Sequence, residues 1–282
     1  MDKNKQQTIR SGLYLVSTPI GNMEDITFRA INVLKKSDFI LCEDTRRSGK
    51  LLSYFEIKNK LIPYHKFNEK RVSVKVIESL KEDKIISLIS DAGTPVISDP
   101  GLILVNKCVN ENLEVYPIPG SSAVTSAVSV SGFSDQYIFY GFLPKKEKEL
   151  DKVLKSFNNL DYSIVFFIPA AKVNFYILQF KKYFIDREIL IAKEMTKIHE
   201  MFIRDKIESI VSFPENFKGE LTVVISKKNK DKNYKKEINE AIKKQIRKML
   251  KKYSHKDVVD FISKKENLSK KMIYDYSLKL KK

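Results

Sequence analysis

Between Leu13 and Tyr140, short β-rich runs alternate with helical patterns, and this alternation restricts the fold more than any other feature of the chain. Strands are predicted over residues 13–17, 39–42, 60–64, 85–90, 114–118 and 137–140. Between them, Val72, Val76, Ile77 and Leu80 fall on one face of a helix, as do Leu102, Val105, Cys108 and Val109. Strands that alternate with helices make a largely parallel sheet with helices on both faces. Ligands of such sheets bind beyond the carboxyl ends of the strands, so the loops there come first.

Residues 132–148 hold Gly132, Gly141, Pro144 and a Lys/Glu run and read as a linker. Beyond it the pattern changes, with strands at 163–168, 188–193, 201–204 and 220–226 and a helix at 172–183. Strands that close together after Glu188 imply hairpins, hence a second α/β domain with a mixed sheet. The expected divisions are a flexible polar N-terminus (1–12), an N-terminal α/β domain (13–140), a second α/β domain (141–226) and a basic helical extension (227–282). In that extension Ile238, Ile242, Ile246, Met249 and Leu250 mark an amphipathic helix. Residues 258–262 and 272–280 suggest two more, with Ser269 as an N-cap.

Composition matters chiefly where the charge sits. The net charge is +17, yet residues 227–282 hold 20 Lys/Arg against 7 Asp/Glu, and the other 226 residues carry only +4. A concentrated basic segment suits a polyanion such as nucleic acid, because neutralising phosphates releases counterions. A solvated helical face is the other reading of the same charge. Met1 to Arg10 has no apolar core of a secretory signal, and no apolar run reaches membrane-spanning length. Cys42 and Cys108 read as buried free thiols of a cytoplasmic protein, and the three scattered His give no metal-site spacing.

With only nine glycines, their positions carry information. Neither a Gly-x-Gly dinucleotide fingerprint nor a P-loop is present. Instead three loops each follow a predicted strand: Ser17-Thr18-Pro19-Ile20-Gly21-Asn22, Ser90-Asp91-Ala92-Gly93-Thr94-Pro95 (continuing to Ser98-Asp99-Pro100-Gly101), and Pro117-Ile118-Pro119-Gly120-Ser121-Ser122. Proline stiffens such loops while glycine permits close backbone approach, so they present N–H and C=O groups to a small polar ligand at little ordering cost. Any one of them reads as an ordinary turn; three at one sheet edge read as a pocket. A fourth loop, Glu43-Asp44-Thr45-Arg46-Arg47, either orients a substrate hydroxyl or caps the next helix through Thr45 or Ser48.

Five segments together resemble one family: LYLVSTPIGNMED (13–25), CEDTR (42–46), HKFNE (65–69), ISDAGTPVISDPG (89–101) and PIPGSSA (117–123). They are similar to the ribosomal RNA small subunit methyltransferase I family, within the tetrapyrrole-methylase-like enzymes, over roughly residues 12–226. The tail resembles the family's extension chiefly at 269–278. The resemblance implies two α/β domains of the tetrapyrrole-methylase type, a homodimer, and S-adenosylmethionine held in the cleft between the domains. It implies 2′-O-methylation of a cytidine in the decoding region of 16S ribosomal RNA within the 30S subunit. By the same resemblance Asp91, Ala92, Gly93, Thr94, Pro95, Ser121 and Ser122 line the cofactor. Met195, Thr196, Gly219, Glu220 and Leu221 close it from the second domain. Two segments depart from the family's pattern. Ile168-Pro169-Ala170-Ala171-Lys172 lacks a Glu and an Arg that members usually show there, and Ser121-Ser122 stands where many carry Pro-Cys.

Methyl transfer from a sulfonium needs an aligned nucleophile and help in losing its proton. Candidate bases are Glu43 and Asp44, then Glu194, then His65. Arg46 and Arg47 are candidates for gripping a phosphate, and Arg46 is equally suited to locking Asp44 in an ion pair. Two other functions fit parts of the sequence: a small-molecule methylase of the tetrapyrrole type, and a non-catalytic RNA-binding assembly factor.

Overall fold

The structure, a computed structural model, describes residues 8–228, 238, 240–266 and 268–280. The chain divides into two compact units, Met1–Lys228 and Asn229–Lys282. Of the N-terminal segment expected to be flexible, residues 1–7 lie outside the described residues. Within the rest of it, the Arg10 N–H donates to the Tyr14 hydroxyl (3.1 Å), which donates back to the Arg10 carbonyl (2.8 Å).

The larger unit opens with a five-stranded parallel sheet in the order β3-β2-β4-β1-β5, made of β1 (Gly12–Val16), β2 (Phe39–Cys42), β3 (Leu61–Pro63), β4 (Ile85–Leu88) and β5 (Val115–Ile118). Side chains alternate across a strand, so β1 divides its residues between two cores. Tyr14 and Val16 join Val33 and Leu34 of α1 (Phe28–Lys36) and Leu52 of α2 (Thr45–Tyr54). On the opposite face Leu13 meets Val76 and Ile77 of α3 (Glu69–Lys81) and Leu104 and Cys108 of α4 (Leu102–Asn110). Burial on both faces is why these strands read as nearly continuous apolar runs. The edge strand β3 is three residues long and ends on Pro63, which suits an edge that needs fewer ladder bonds. Cys42 and Cys108 are buried and free, as expected.

The second sheet runs β6-β7-β10-β8-β9, from β6 (Tyr137–Phe142), β7 (Ser163–Pro169), β8 (Glu188–Lys193), β9 (Met201–Lys206) and β10 (Glu220–Ile225). It is mixed: β6 lies parallel to β7, and the other pairs are antiparallel. Here the sequence reading needs correction. The strand at 137–140 does not extend the first sheet; it is the edge of the second, and the stretch read as a linker contains it. The physical turning point lies earlier, at Gly132, whose left-handed backbone (φ 74°) ends helix α5 (Ala123–Ser131).

One face of the second sheet is covered by α6 (Glu147–Phe157) and α7 (Val173–Tyr183), with Phe166 and Phe180 stacked in that core. The other face offers Val165, Leu190, Ala192 and Val224 to Val124 and Ala127 of α5. Helix α5 therefore leaves the first sheet and lands on the second. Its amino end lies where the two halves meet.

The smaller unit contains α8 (Glu240–Leu250), α9 (His255–Glu266) and α10 (Lys270–Lys279) around Ile246, Val258, Ile262 and Ile273. Ser269 caps α10 by accepting from the Met272 N–H at 3.1 Å, as its position predicts. Four lysines of the basic tail, Lys230, Lys232, Lys235 and Lys236, and the final pair Lys281 and Lys282 lie outside the described residues. Among the described residues no helix is long and apolar enough to cross a membrane.

Candidate active site

The three Gly/Pro loops after β1, β4 and β5 meet at one edge of the parallel sheet. Thr18 and Gly93 exchange backbone hydrogen bonds at 2.9 and 3.0 Å. The Ser17 and Thr94 hydroxyls are 2.9 Å apart, and Thr94 donates onward to the Ser121 carbonyl at 3.3 Å. Gly93 takes up this bridge at φ 81°, a conformation that is strained for residues with a Cβ. What is a Gly/Pro turn in sequence is thus the middle member of a stitched floor.

Above this floor is a cavity of about 350 Å³, bounded on the far side by the ends of β6 and β7 and the start of β10. That volume is within the usual span for small-molecule sites, roughly 300–1,000 Å³. Ile20, Val124, Phe142, Phe167 and Leu221 supply apolar walls, while Asp91, Asp99 and Glu220 set three carboxylates against the single guanidinium of Arg47. Ala123 and Val124, the first turn of α5, also face it, and Ser122 caps that helix through the Thr125 N–H at 3.4 Å. A helix leaves its first N–H groups without intrahelical partners, so this wall suits a ligand carboxylate. The acidic balance suits a cation. A second cavity of about 250 Å³ shares Ile20, Arg47, Asp91, Ala92 and Glu220 with the first and continues toward Gly21 and Lys50.

Of the residues predicted to hold the ligand, Asp91, Ala92, Gly93, Thr94, Ser122, Gly219, Glu220 and Leu221 line the larger cavity. The others are placed differently. Pro95 is buried behind the loop, and Ser121 serves as the tie to Thr94. Met195 is in the core beneath Ile20, and Thr196 accepts the Asn22 N–H at 3.0 Å. This pair joins the halves: a Cβ on Gly21 would lie 2.6 Å from the Thr196 hydroxyl and 2.9 Å from the Met195 carbonyl.

The base candidates separate clearly. Asp44, rather than Thr45 or Ser48, caps α2, accepting from the Arg46 N–H at 2.8 Å. Arg46 also grips it through Nε (3.1 Å) and Nη2 (2.8 Å), and these bonds hold the Asp44 carboxyl well below the usual carboxylate range. A carboxylate so held is a poor proton acceptor, and Arg46 fills the locking role. Glu194 is engaged by the Glu220 N–H (2.7 Å) and the Lys197 ammonium (3.1 Å). Burial pushes its carboxyl up, but these partners outweigh burial and leave it below its ordinary value. Glu43 is exposed, and neither Glu43 nor His65 lines either cavity.

Two residues outside the expected cofactor set, Arg47 of the phosphate-gripping pair and Asp99 from the continuation of the pocket loop, also line the cavity. Arg47 lies 3.5 Å from Asp91, whose other oxygen accepts the Asp44 N–H at 3.1 Å. Asp99 is a half-buried carboxyl pushed up to about 6, first by burial, then by the charges of Glu43 and Asp91, with the Ser90 hydroxyl opposing them. The available signal for Asp99 is its place in Ser98-Asp99-Pro100-Gly101, directly downstream of the pocket loop.

Residues 12–211 match the sequence model of the Tetrapyrrole (Corrin/Porphyrin) Methylases. A ribosomal RNA small subunit methyltransferase I from Thermotoga maritima is 45% identical over 219 residues, covering 77% of this chain and 98% of its own. The chain belongs to that family. Its namesake from Buchnera aphidicola is 37% identical over 277 residues, covering 95% of this chain and 96% of its own, so that similarity extends into the basic helices. Among solved structures, a diphthine synthase shares the fold with a TM-score of 0.61 at 13% identity, over 76% of this chain and 89% of its own. The two-sheet architecture expected from the resemblance is therefore the fold of this chain.

Proposed function

We propose that this chain transfers a methyl group from S-adenosylmethionine to the ribose 2′-hydroxyl of a cytidine in the decoding region of 16S ribosomal RNA, acting on the 30S subunit. The carrying observation is the acid-lined, apolar-walled cavity between the two sheets, built on the loop Ser90–Pro95. When bound, S-adenosylmethionine supplies an electrophilic methyl group on a cationic sulfur. The cavity's residues fit that molecule: Asp91, Asp99 and Glu220 compensate positive charge, the first turn of α5 offers N–H groups to a carboxylate, and Phe167 and Leu221 provide faces for an adenine. Family membership and the relatives' names support ribosomal RNA as the acceptor. The second cavity, with Arg47, Lys50 and Lys197 at its walls, offers cations to a phosphodiester beside the cofactor. The resemblance further supports a cytoplasmic homodimer.

The smaller unit supplies the polyanion contact in this account. Removing residues 227–282 takes away a net +13 and leaves the larger unit's cores untouched. The expected result is weaker binding to 30S subunits with a flatter dependence on salt, and unchanged affinity for S-adenosylmethionine. Filter binding across a salt series checks it. If the truncated chain binds subunits as the full chain does, with the same salt slope, the basic helices have no part in RNA recognition.

A further inference from the structure

We propose that Asp99 is the catalytic base of the transfer, accepting the proton of the hydroxyl nucleophile inside the larger cavity. The inference rests on the functional reading above. Its first support is position. Asp99 lines the cavity that the cofactor loop floors, whereas Glu43 and His65 line neither cavity. Asp44 and Glu194 are consumed by Arg46, Lys197 and backbone donors.

The second support is the shape of the chain that delivers it. Val96 (φ 74°) and Ser98 (φ 69°) both lie in the left-handed region, two non-glycine residues flanking Ile97. A β-branched residue there is a real outlier, and such strain persists where surrounding structure fixes it. Here the distortion turns the loop between Pro95 and Gly101 so that Ile97, Ser98 and Asp99 all face the cavity.

The third is chemistry. Burial and the neighbouring charges of Glu43 and Asp91 make Asp99 a stronger base than an ordinary aspartate, with Arg47 turned toward Asp91. It is nevertheless ionised at neutral pH, the condition a general base requires. The ribose oxygen bonds to the methyl carbon as the carbon–sulfur bond breaks, the electron pair leaves on sulfur, and the hydroxyl proton passes to the Asp99 carboxylate.

The test compares wild type, Asp99→Asn and Asp99→Glu with 30S subunits lacking the modification, at saturating S-adenosylmethionine. The single-turnover rate of Asp99→Asn should fall about 10²- to 10⁴-fold, the usual worth of a positioned base, with partial recovery in Asp99→Glu. The wild-type rate should show an acid limb at or below about pH 6, absent from the residual Asn rate. A readout without cofactor or RNA is the stability difference between Asp99→Asn and wild type. The folded-state value is raised, so unfolded chains ionise first, and wild type loses stability as pH rises from about 4 to about 6. Asparagine stays neutral, so its thermal advantage should open across that window and then level off. An active wild type with Asp99→Asn within about threefold of it overturns the base alone, as does a large loss in the Asn variant with a pH-independent wild-type rate. A folded wild type that transfers no methyl group overturns the functional reading and the base with it.

Discussion

Asp91→Asn is expected to lower affinity for S-adenosylmethionine by about 10- to 100-fold while leaving the fold intact. Asparagine keeps an oxygen that can accept the Asp44 N–H, so the loop between β4 and α4 retains that bond. What disappears is one of the three carboxylates that line the cavity. An interaction with a charged partner contributes about 1.5–3 kcal/mol, and each 1.4 kcal/mol is a factor of ten. The accompanying loss of the Arg47 pair matters less to stability, because the Arg47 side chain is 64% exposed and such pairs contribute little. Titration calorimetry on the cofactor-free protein reads the affinity directly. An unchanged value would place the cofactor away from this loop.

The second large effect lies far from the cavity. Arg187 is 1% exposed, its Nη1 donates to the Ser226 carbonyl (3.1 Å), and its Nη2 is within 3.2 Å of the carbonyls of Phe157, Asn158 and Leu160. The guanidinium also lies over the Phe184 ring, 5.3 Å from its centre. Burial pushes its pKa down, with the Asp161 charge opposing, yet an arginine keeps its proton in a protein interior. One side chain thus ties the end of α6 to the end of β10. Arg187→Leu strands those carbonyls in a low-dielectric core, at a cost of about 3–5 kcal/mol. For a unit of this size that is a fall in Tm of roughly 6–20 °C, visible by calorimetry. Arg187→Lys should fall between, since it keeps the charge but not the planar fork. A shift of only a degree or two for Arg187→Leu would mean that water satisfies the carbonyls.

How much of this was legible in the sequence differs from element to element. The parallel sheet was, because burial on both faces leaves continuous apolar runs at Leu13, Ile40 and Ile86. So was the loop cluster, since the Gly/Pro pairs Pro19 with Gly21, Gly93 with Pro95, and Pro119 with Gly120 mark backbone that only a special turn requires. Strand β6 was not, because Tyr137–Phe142 carries the same β-rich signal whichever sheet it joins; its partner is fixed by α5 crossing from one sheet to the other. Arg46 and Arg47 are adjacent in sequence, but on α2 neighbouring side chains diverge by about 100°. Arg46 folds back on Asp44 with its side chain 88% exposed, while Arg47 reaches the cavity. Asp99 was hidden for a related reason: its direction depends on positive φ at Val96 and Ser98, which no residue type there announces. Arg187 reads as an ordinary charge before a strand, and nothing local signals that it is buried.

The cavity on the Ser90–Pro95 loop is expected to deliver a methyl group to one ribose of the small-subunit RNA. Incubating the chain with methyl-labelled S-adenosylmethionine and 30S subunits from cells lacking it, then mapping ribose methylation along the 16S RNA, tests this directly. The expected result is about one labelled methyl per subunit, on the 2′-oxygen of a single cytidine in the decoding region, and a marked loss of label with Asp91→Asn at limiting cofactor. Label on a base, label spread over many sites, or none at all would contradict it.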